Sequence, residues 1–261
     1  MSLTQAPTAP LNAGRAPSLH TCSSEPLRVV CWKWKPTAPK SAAVWQQGAE
    51  HVNILRRMVA RNLNIPHEFV CITDDPRGID DDIRIIPLWT DLRQEGYCMV
   101  RLKAFTDEMR EIIGPRFAWI DLDVVITDDI TPLFDTDVDF KISGVELRAQ
   151  PYNGSIVLMN AGARAQVFHE YDRERFLRVK AEKTYGGSDQ AWMAVCLGEN
   201  EQVWNEDDGI YNYRDHIDPA SPRGTGGPLP DNARVIVFNG RFDPSLPELQ
   251  AKSPWILEHW R

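Results

Sequence analysis

Residues 117–125 read FAWIDLDVV, an apolar run that leads into two aspartates. Short segments that are apolar throughout are typical of strands that are buried on both faces, in sheets with helices on either side. We therefore expect a central strand over residues 117–120, with Asp121 at its carboxyl end. In open α/β sheets, ligands bind in the crevice beyond the carboxyl ends of the strands, so the same residues predict a ligand site.

The two aspartates are spaced so that they can act together. In an extended segment, residues i and i+2 point to the same side, so Asp121 and Asp123 can offer both carboxylates to one cation. Mg²⁺ and Mn²⁺ take oxygen ligands and are often held by one or two carboxylates plus substrate phosphates. A bare D-x-D is also frequent by chance, and aspartate commonly forms turns after strands.

The sequence before this segment predicts alternating strands and helices. Residues 27–34 and 67–73 form strand-like apolar runs, and residues 45–63 place their apolar side chains on one helical stripe. A short strand is expected over residues 83–88. Residues 98–113 follow helical spacing up to the Gly-Pro pair that ends the helix.

The second half of the chain is less regular. Residues 155–159 and 234–238 predict strands, whereas residues 165–180 and 188–197 predict helices. Residues 205–232 are rich in Asp, Pro and Gly, and we expect them to form a long loop.

Composition excludes several classes of protein. The chain has 261 residues, of which 43% are hydrophobic, so it can bury a core. The net charge of -8, from 29 Lys+Arg and 37 Asp+Glu, argues against general binding to nucleic acid, which needs clustered cations. Five widely spaced cysteines without a C-x-x-C pair favour neither a disulfide framework nor a zinc site, and they fit the cytoplasm. The sequence contains no apolar run of about 18 residues, which is the length that a membrane-spanning helix needs.

The chain divides into two parts by composition. Residues 1–26 are rich in Ala, Pro, Ser and Thr and show no hydrophobic period, so we predict a flexible tail. Residues 27–261 are predicted to form one α/β domain.

The D-x-D segment resembles the metal-binding region of GT-A glycosyltransferases, above all the glycogenin-like and family 8 enzymes. After Asp123 the chain continues VVITDDITPLFD, which is similar to the "GDI" and "LFD" elements of that family. Five further segments resemble, in the same order, family 8 enzymes and a bacterial and phage branch of such proteins. They are residues 47–75, 96–105, 152–160, 187–190 and 237–244.

The resemblance implies a mixed, mostly parallel central sheet flanked by helices, and transfer of a sugar from a nucleotide-diphosphate donor to an acceptor such as a glycan. UDP is the expected nucleotide, and the expected product retains its anomeric configuration. Asp121 and Asp123 would hold Mn²⁺ or Mg²⁺ against the diphosphate. Arg101 would lie near the phosphates or the donor sugar, and Asn153 and Asp189 would face the sugar.

The nucleotide is expected at the end of the first strand. Trp32 and Trp34 lie on the same face of that strand and can stack on uracil. Asp74 and Asp75, at the end of the next strand, can reach the ribose or the base. The resemblance also assigns three further residues to the nucleotide site: Leu122, Gly240 and Arg241.

Each assignment has a structural alternative. A tryptophan in such a strand is commonly a core residue, and Asp74 and Asp75 are also typical of a turn. Asp189 is placed to act as a cap or first-turn acid of the helix that follows it. Arg101 can be a solvated helix residue.

Three residues near the C-terminus depart from the family pattern. Val237 and Asn239 stand at positions where the family 8 enzymes and the bacterial branch, respectively, have a histidine. An amide oxygen can bind a hard cation, so Asn239 is the third predicted metal ligand. Asp243 replaces a usual lysine and removes a positive charge expected near the diphosphate.

Two other functions fit parts of the sequence. A haloacid-dehalogenase-like phosphatase also has an apolar strand followed by D-x-D, where Asp121 would attack a phosphoryl group. That motif usually opens its domain, whereas about 90 residues of the predicted domain precede Asp121 here. A GT-A scaffold that binds a nucleotide-sugar or glycan without turnover would explain the departures at Val237, Asn239 and Asp243.

Overall fold

The structure, a computed structural model, describes residues 25–35, 47–96, 98–144, 150–182, 185 and 188–261. The predicted tail, residues 1–26, lies outside the described residues except for its last two positions. The start of the helix predicted over residues 45–63 also lies outside them.

A mixed sheet of seven strands forms the centre of the described part of the chain, in the order β3-β2-β1-β4-β7-β6-β8. Strands β1 to β4 run parallel to one another, whereas β7 pairs antiparallel with both β4 and β6. The predicted fold class is therefore confirmed. The strands of this sheet are β1 Leu27–Lys33, β2 His67–Thr73, β3 Arg84–Pro87, β4 Arg116–Ile120, β6 Phe140–Ser143, β7 Asn153–Asn160 and β8 Val203–Trp204.

Both faces of this sheet are buried, as the apolar run before Asp121 predicts. Along β4, Phe117 and Trp119 belong to one hydrophobic cluster, while Ala118 and Ile120 belong to the other. Consecutive residues of a strand point to opposite faces, so an uninterrupted apolar run places side chains in both clusters. The end of β4 therefore lies at the middle of the sheet, between β1 and β7.

Helices cover the sheet. The longest in the described residues is α1, whose apolar stripe is buried on the face that contains Ala118 and Ile120. No helix in the described residues is both long and apolar enough to cross a membrane. The α-helices are α1 Ala49–Asn62, α2 Met109–Ile112, α3 Thr131–Phe134, α4 Gln166–His169, α5 Arg173–Glu182, α6 Asp189–Leu197, α7 Pro247–Lys252 and α8 Trp255–His259.

Two predicted helices are broken in the structure. Residues 98–113 form a 3-10 helix, Met99–Phe105, and then the short α2. Thr106 ends the first piece, because its backbone is extended and its hydroxyl donates to the carbonyl of Lys103 at 2.9 Å. Residues 165–180 divide into α4 and α5, since the Asp172 carboxylate accepts the N–H of Arg175 at 2.6 Å and so caps a new helix.

The prediction of a long loop over residues 205–232 is wrong in its first half. This half contains a 3-10 turn at Glu206–Asp208, strand β9 at Ile210–Asn212 and a π-helical turn at Tyr213–Ile217. Strand β9 joins a second sheet with β5, Val124–Ile126, and β10, Val235–Val237, in the order β5-β10-β9. This sheet brings the C-terminal segment to the D-x-D, because the N–H of Phe238 donates to the carbonyl of Asp123 at 2.9 Å.

Gly209 holds the turn between the 3-10 turn and β9. Its φ is +82°, and a β-carbon at this position would overlap the carbonyl oxygen of Asn232. We expect Gly209→Ala to cost at least about 3 kcal/mol of unfolding free energy, because backbone strain and a steric clash add. Urea denaturation measures the effect. Gly198→Ala is the matched control, since Gly198 has φ of +71° with no atom near that position, and should cost only about 1 kcal/mol. Equal losses of unfolding free energy in Gly209→Ala and Gly198→Ala would contradict the close contact between Gly209 and Asn232.

Candidate active site

The two aspartates of the D-x-D lie between β4 and β5, at the carboxyl end of the central strand. The backbone N–H of Asp121 donates to the carbonyl of Ser155 at 2.8 Å, which fixes the segment against β7. Leu122, between them, packs into the core and is 3% exposed. Its side chain is therefore directed away from any ligand, and only its backbone is available for the nucleotide contact predicted for it.

Arg101 is the cation nearest to the D-x-D in the described residues, and it is buried. Its Nη1 donates to Asp121 Oδ1 at 2.5 Å, while Nε and Nη2 donate to Asp189 Oδ2 at 2.8 and 2.5 Å. The guanidinium also lies 5.3 Å from the ring centroid of Trp119. Arg101 thus joins two predicted site residues, Asp121 and Asp189, and is not the solvated helix residue of the structural alternative.

Asp189 is fully buried at the start of α6, with Ser188 as the N-cap residue. Burial raises the pKa of the Asp189 carboxyl, and Arg101 opposes this rise. Burial would lower the pKa of Arg101, but Asp121 and Asp189 together raise it above its ordinary value. The guanidinium therefore remains protonated, and Asp189 serves both as a first-turn acid and as the partner of Arg101.

Asp123 faces a second carboxylate from the C-terminal segment. Burial, followed by the negative charges of Asp121 and Asp243, raises the pKa of Asp123 well above its ordinary value. Burial would also raise the pKa of Asp243, but hydrogen bonds from His51 and Ser245 lower it to about 2. Asp243 is therefore ionised at neutral pH.

His51 is oriented toward Asp243 by the start of α1. Its Nδ1 accepts the backbone N–H of Gly48 at 3.3 Å, so Nε2 bears the proton and donates to Asp243 Oδ1 at 3.4 Å. The Ser245 hydroxyl donates to the same oxygen at 2.6 Å. The Asp243 carboxylate is thus held by partners of its own.

Asn239 indicates whether a divalent cation fits the site. It directly follows Phe238, whose backbone N–H donates to the carbonyl of Asp123. The Oδ1 of Asn239 is buried and has no hydrogen-bond partner in the described residues. A buried carbonyl oxygen without a partner costs free energy, and a hard cation would satisfy it. No group of three His, Cys, Asp or Glu side chains in the described residues is arranged to hold a metal. Two carboxylates with one amide oxygen nevertheless form a donor set suited to Mg²⁺ or Mn²⁺.

Comparison with solved structures identifies the fold. The galactosyltransferase LgtC, solved in complex with donor and acceptor sugar analogs, matches with a TM-score of 0.55 over 89% of this chain and 94% of that one, at 16% identity. The chain has the GT-A glycosyltransferase fold. The glycosyltransferase GlyE of Streptococcus pneumoniae TIGR4 matches with a TM-score of 0.53 at 13% identity, over 85% of this chain and 57% of that one. The bifunctional glycosyltransferase WbbM matches with a TM-score of 0.53 at 12% identity, over 92% of this chain and 52% of that one.

No protein-family model matches the sequence, and a search of curated proteins finds no match. The likeness to GT-A proteins therefore lies in the fold. It leaves the haloacid-dehalogenase-like alternative without structural support, since the D-x-D of this GT-A fold follows the fourth strand of the described residues.

Of the other residues that the sequence analysis assigned to the site, some pack in the hydrophobic core and others lie at the surface or along a cleft. Trp32 is 4% exposed, with its ring edge-on to Trp89 and Trp119 at 5.3 and 5.9 Å, so it is a core residue. Trp34 is half-buried and packs at the edge of the same cluster. This packing favours the structural alternative for Trp32, and the stacking on uracil expected of the two tryptophans stays a prediction.

Asp74 and Asp75 are held by neighbouring cations. Asp74 pairs with Arg93, while Asp75 pairs with Arg77 at 2.7 Å and Lys35 at 3.6 Å. The hydrogen bond from Arg77 is the main cause that lowers the pKa of Asp75. These contacts favour the turn-forming alternative, and the nucleotide contact predicted for the two residues stays a prediction.

The segment at residues 239–242 borders an open cleft. The cleft has a volume of about 610 Å³, and its lining includes Asn239, Gly240 and Arg241 together with Asp215 and Asp218. Gly240 has a φ of +66°, and the Arg241 side chain is exposed over the ring of Phe242. Ligand pockets are typically about 300–1,000 Å³, so the cleft is large enough for a sugar.

Asn153 and a residue that the sequence analysis missed complete the site on the side of β7. Asn153 is 1% exposed, and its Oδ1 accepts the N–H of Ser155 at 2.8 Å. Gln190, directly after Asp189, places its side chain on Gly154 beside Arg101. Its only signal in the sequence was its place in residues 187–190, a segment that resembles family 8 enzymes.

Proposed function

We propose that this chain is a metal-dependent glycosyltransferase that transfers a sugar from a nucleotide-diphosphate donor, UDP-sugar, with retention of configuration. The observation that carries the proposal is the convergence of the D-x-D, the Arg101–Asp189 pair and the segment at Asn239 at the end of the central strand of a GT-A fold. The UDP donor and the retaining outcome rest on the resemblance to family 8 enzymes.

The residues of the site would have distinct roles in holding the cation and in orienting its ligands. Asp121, Asp123 and Asn239 would hold Mn²⁺ or Mg²⁺, which supplies Lewis-acid neutralisation of the departing diphosphate. Arg101 fixes the carboxylate of Asp121 through a charged hydrogen bond at 2.5 Å, so the oxygens offered to the cation are oriented in advance. Asp189, which is fully buried at the start of α6, shares that guanidinium and would act on the site through Arg101.

The cleft next to Asn239 is proposed to receive the acceptor, an unidentified glycan. Its lining combines acidic, basic and hydroxyl side chains with the Phe242 ring, a mixture suited to a polyhydroxylated ligand. By the resemblance to family 8 enzymes, the departing diphosphate would accept the proton of the attacking hydroxyl. The cytoplasmic location stays a prediction.

A turnover assay tests the proposal. UDP-, GDP- and dTDP-sugars are incubated with the protein in Mn²⁺ or in EDTA, and release of the free nucleoside diphosphate is measured. We expect release from a UDP-sugar that requires Mn²⁺. Release of phosphate from p-nitrophenyl phosphate, with no response to any nucleotide-sugar, would overturn it.

A second candidate is a GT-A scaffold that binds a nucleotide-sugar or glycan without turnover. The observation that favours it is Asp243, an ionised carboxylate facing Asp123 where the family has a cation. Donor binding measured by calorimetry, together with no release in the turnover assay, would select this candidate.

Removal of the Asp243 charge should strengthen nucleotide binding. Asp243→Asn is expected to raise the affinity for UDP in EDTA by roughly threefold to tenfold, because one negative charge near the diphosphate is lost. Calorimetry at low and high salt measures it, and the gain should shrink as salt rises. Asp207→Asn, an exposed acid in the Glu206–Asp208 turn, is the control. An unchanged affinity in Asp243→Asn would place the diphosphate elsewhere.

A further inference from the structure

The cleft beside Asn239 is lined by two arginines with different surroundings. Arg214 is committed to its neighbour, since its Nε and Nη2 donate to the two carboxylate oxygens of Asp215 at 2.9 and 2.6 Å. Arg241 is exposed, and no carboxylate of the described residues forms an ion pair with it. The Arg241 guanidinium is therefore a cationic group that the cleft can offer to a ligand.

A tight turn fixes the backbone that carries Arg241. The N–H of Phe242 donates to the carbonyl of Asn239 at 3.2 Å and so closes a four-residue turn. Gly240 and Arg241 occupy its two central positions. No atom lies within 4 Å of the place that a β-carbon would take at Gly240, so the space beside the turn is open to a ligand.

The ring of Phe242 supports the Arg241 side chain. The guanidinium carbon lies 5.2 Å from the ring centroid. Phe242 is 8% exposed and packs against Tyr213 with the ring centroids 5.7 Å apart, so the core holds the ring in place. A guanidinium over an aromatic face keeps its N–H donors free at its edge, and those of Arg241 make no hydrogen bond to the described residues.

The charged side chains of the cleft differ in exposure. The side chains of Arg214 and Asp215 are 24% and 16% exposed, and they neutralise each other. Asp218 is 5% exposed, and its Oδ1 accepts the N–H of Ala220 at 3.1 Å, so its carboxylate is directed into its own loop. A ligand in the cleft thus meets the positive charge of Arg241 more fully than either carboxylate, and an oxyanion complements that charge.

We propose that the acceptor of this chain carries an oxyanion, either a carboxylate or a phosphate, and that Arg241 selects it. The proposal rests on the proposed function and deepens it, since it names the class of acceptor. It also gives Arg241 a role in acceptor binding in place of the nucleotide contact that the resemblance assigned to it. The planar guanidinium can donate two parallel hydrogen bonds to either oxyanion, whereas a neutral sugar offers it no charge.

Titration of three sugars into the protein, with UDP and Mg²⁺ present, tests the proposal. The probes are methyl glucuronide, glucose 6-phosphate and the neutral methyl glucoside, and the Nε–Hε signal of Arg241 in NMR spectra reports where they bind. We expect an anionic probe to shift this signal and to bind at least about threefold more tightly than the neutral one. The tighter of the two anionic probes distinguishes a carboxylate from a phosphate.

Two variants show whether Arg241 causes the preference. In Arg241→Gln the charged and neutral sugars should bind equally, and in the wild-type protein the preference should shrink as salt rises. Arg178→Gln, at an exposed position of α5, removes the same charge outside the cleft and should behave as wild type.

Three results would overturn the proposal. The first is an Arg241 signal that no probe shifts, and the second is a preference for charged sugars that is absent in the wild type or retained in Arg241→Gln. The third is a tenfold loss of UDP affinity in Arg241→Gln, measured by calorimetry with Mg²⁺, because the guanidinium would then contact the diphosphate. If the wild-type protein releases no nucleoside diphosphate from any donor, the proposed function fails, and the Arg241 signal still decides whether the cleft binds an oxyanion.

Discussion

Replacement of Arg101 by methionine is expected to lower the unfolding free energy by about 3–5 kcal/mol, because it leaves two carboxylates buried without their cation. Asp189 has a fully buried side chain, and Asp121 is 20% exposed. Both lose the charged hydrogen bonds that currently offset their desolvation. Urea denaturation at neutral pH gives the difference from the midpoint and the slope.

An exposed arginine provides the matched control. Arg173 pairs with Glu95 at 3.1 Å and is 63% exposed, so Arg173→Met should cost less than about 1 kcal/mol. A loss in Arg101→Met as small as that of the control would mean that the carboxylates are solvated or paired elsewhere.

Replacement of Asp123 by asparagine is expected to stabilise the protein, in contrast to Arg101→Met. It should raise the unfolding free energy at pH 7 by about 1 kcal/mol or more. Burial and the charges of Asp121 and Asp243 raise the pKa of Asp123, and each unit of such a rise is about 1.4 kcal/mol. Stabilisation by Mn²⁺ with UDP should be lost in the same variant, because Asp123 is a predicted metal ligand. Thermal unfolding with and without the two ligands measures both effects.

The pH dependence of this difference follows from linkage. The folded pKa of Asp123 lies above the unfolded value of about 3.9, so its ionised form destabilises the protein above the folded pKa. The penalty shrinks as the pH falls below that pKa, because the folded carboxyl then binds a proton, and it is lost below the unfolded pKa, where both states are protonated. The advantage of Asp123→Asn should therefore be largest at neutral pH and vanish near pH 3. Asp231→Asn, at an exposed position, should show no such trend.

The centre of the fold was predictable because β4 is apolar on both faces. An uninterrupted run such as FAWI fits only a strand with packing on each side, and the D-x-D must then stand at its carboxyl end. Asp189 was assigned to the site by the resemblance of residues 187–190 to family 8 enzymes, and its functional role stays a prediction. Its partnership with Arg101 was not predictable, since 88 residues separate the two side chains.

The parts that sequence reasoning missed depend on contacts between distant segments. His51 orients Asp243 although the two residues are 192 positions apart in the sequence, and no local sequence pattern predicts their contact. The helix predicted over residues 98–113 breaks at Thr106, because a side-chain hydrogen bond to the backbone outweighs weak helical periodicity. Trp32 shares a face with Trp34, but tertiary packing against Trp89 and Trp119 decides that it is a core residue.

Calorimetric titration of UDP into the protein, with Mn²⁺ or with EDTA, tests the metal-diphosphate site most directly. The wild-type chain should bind UDP at least tenfold more tightly with Mn²⁺, and Asp121→Ala combined with Asp123→Ala should abolish that gain. UDP binding that is equally tight in the wild type and the double variant would show that the D-x-D does not hold the cation that bridges to the diphosphate.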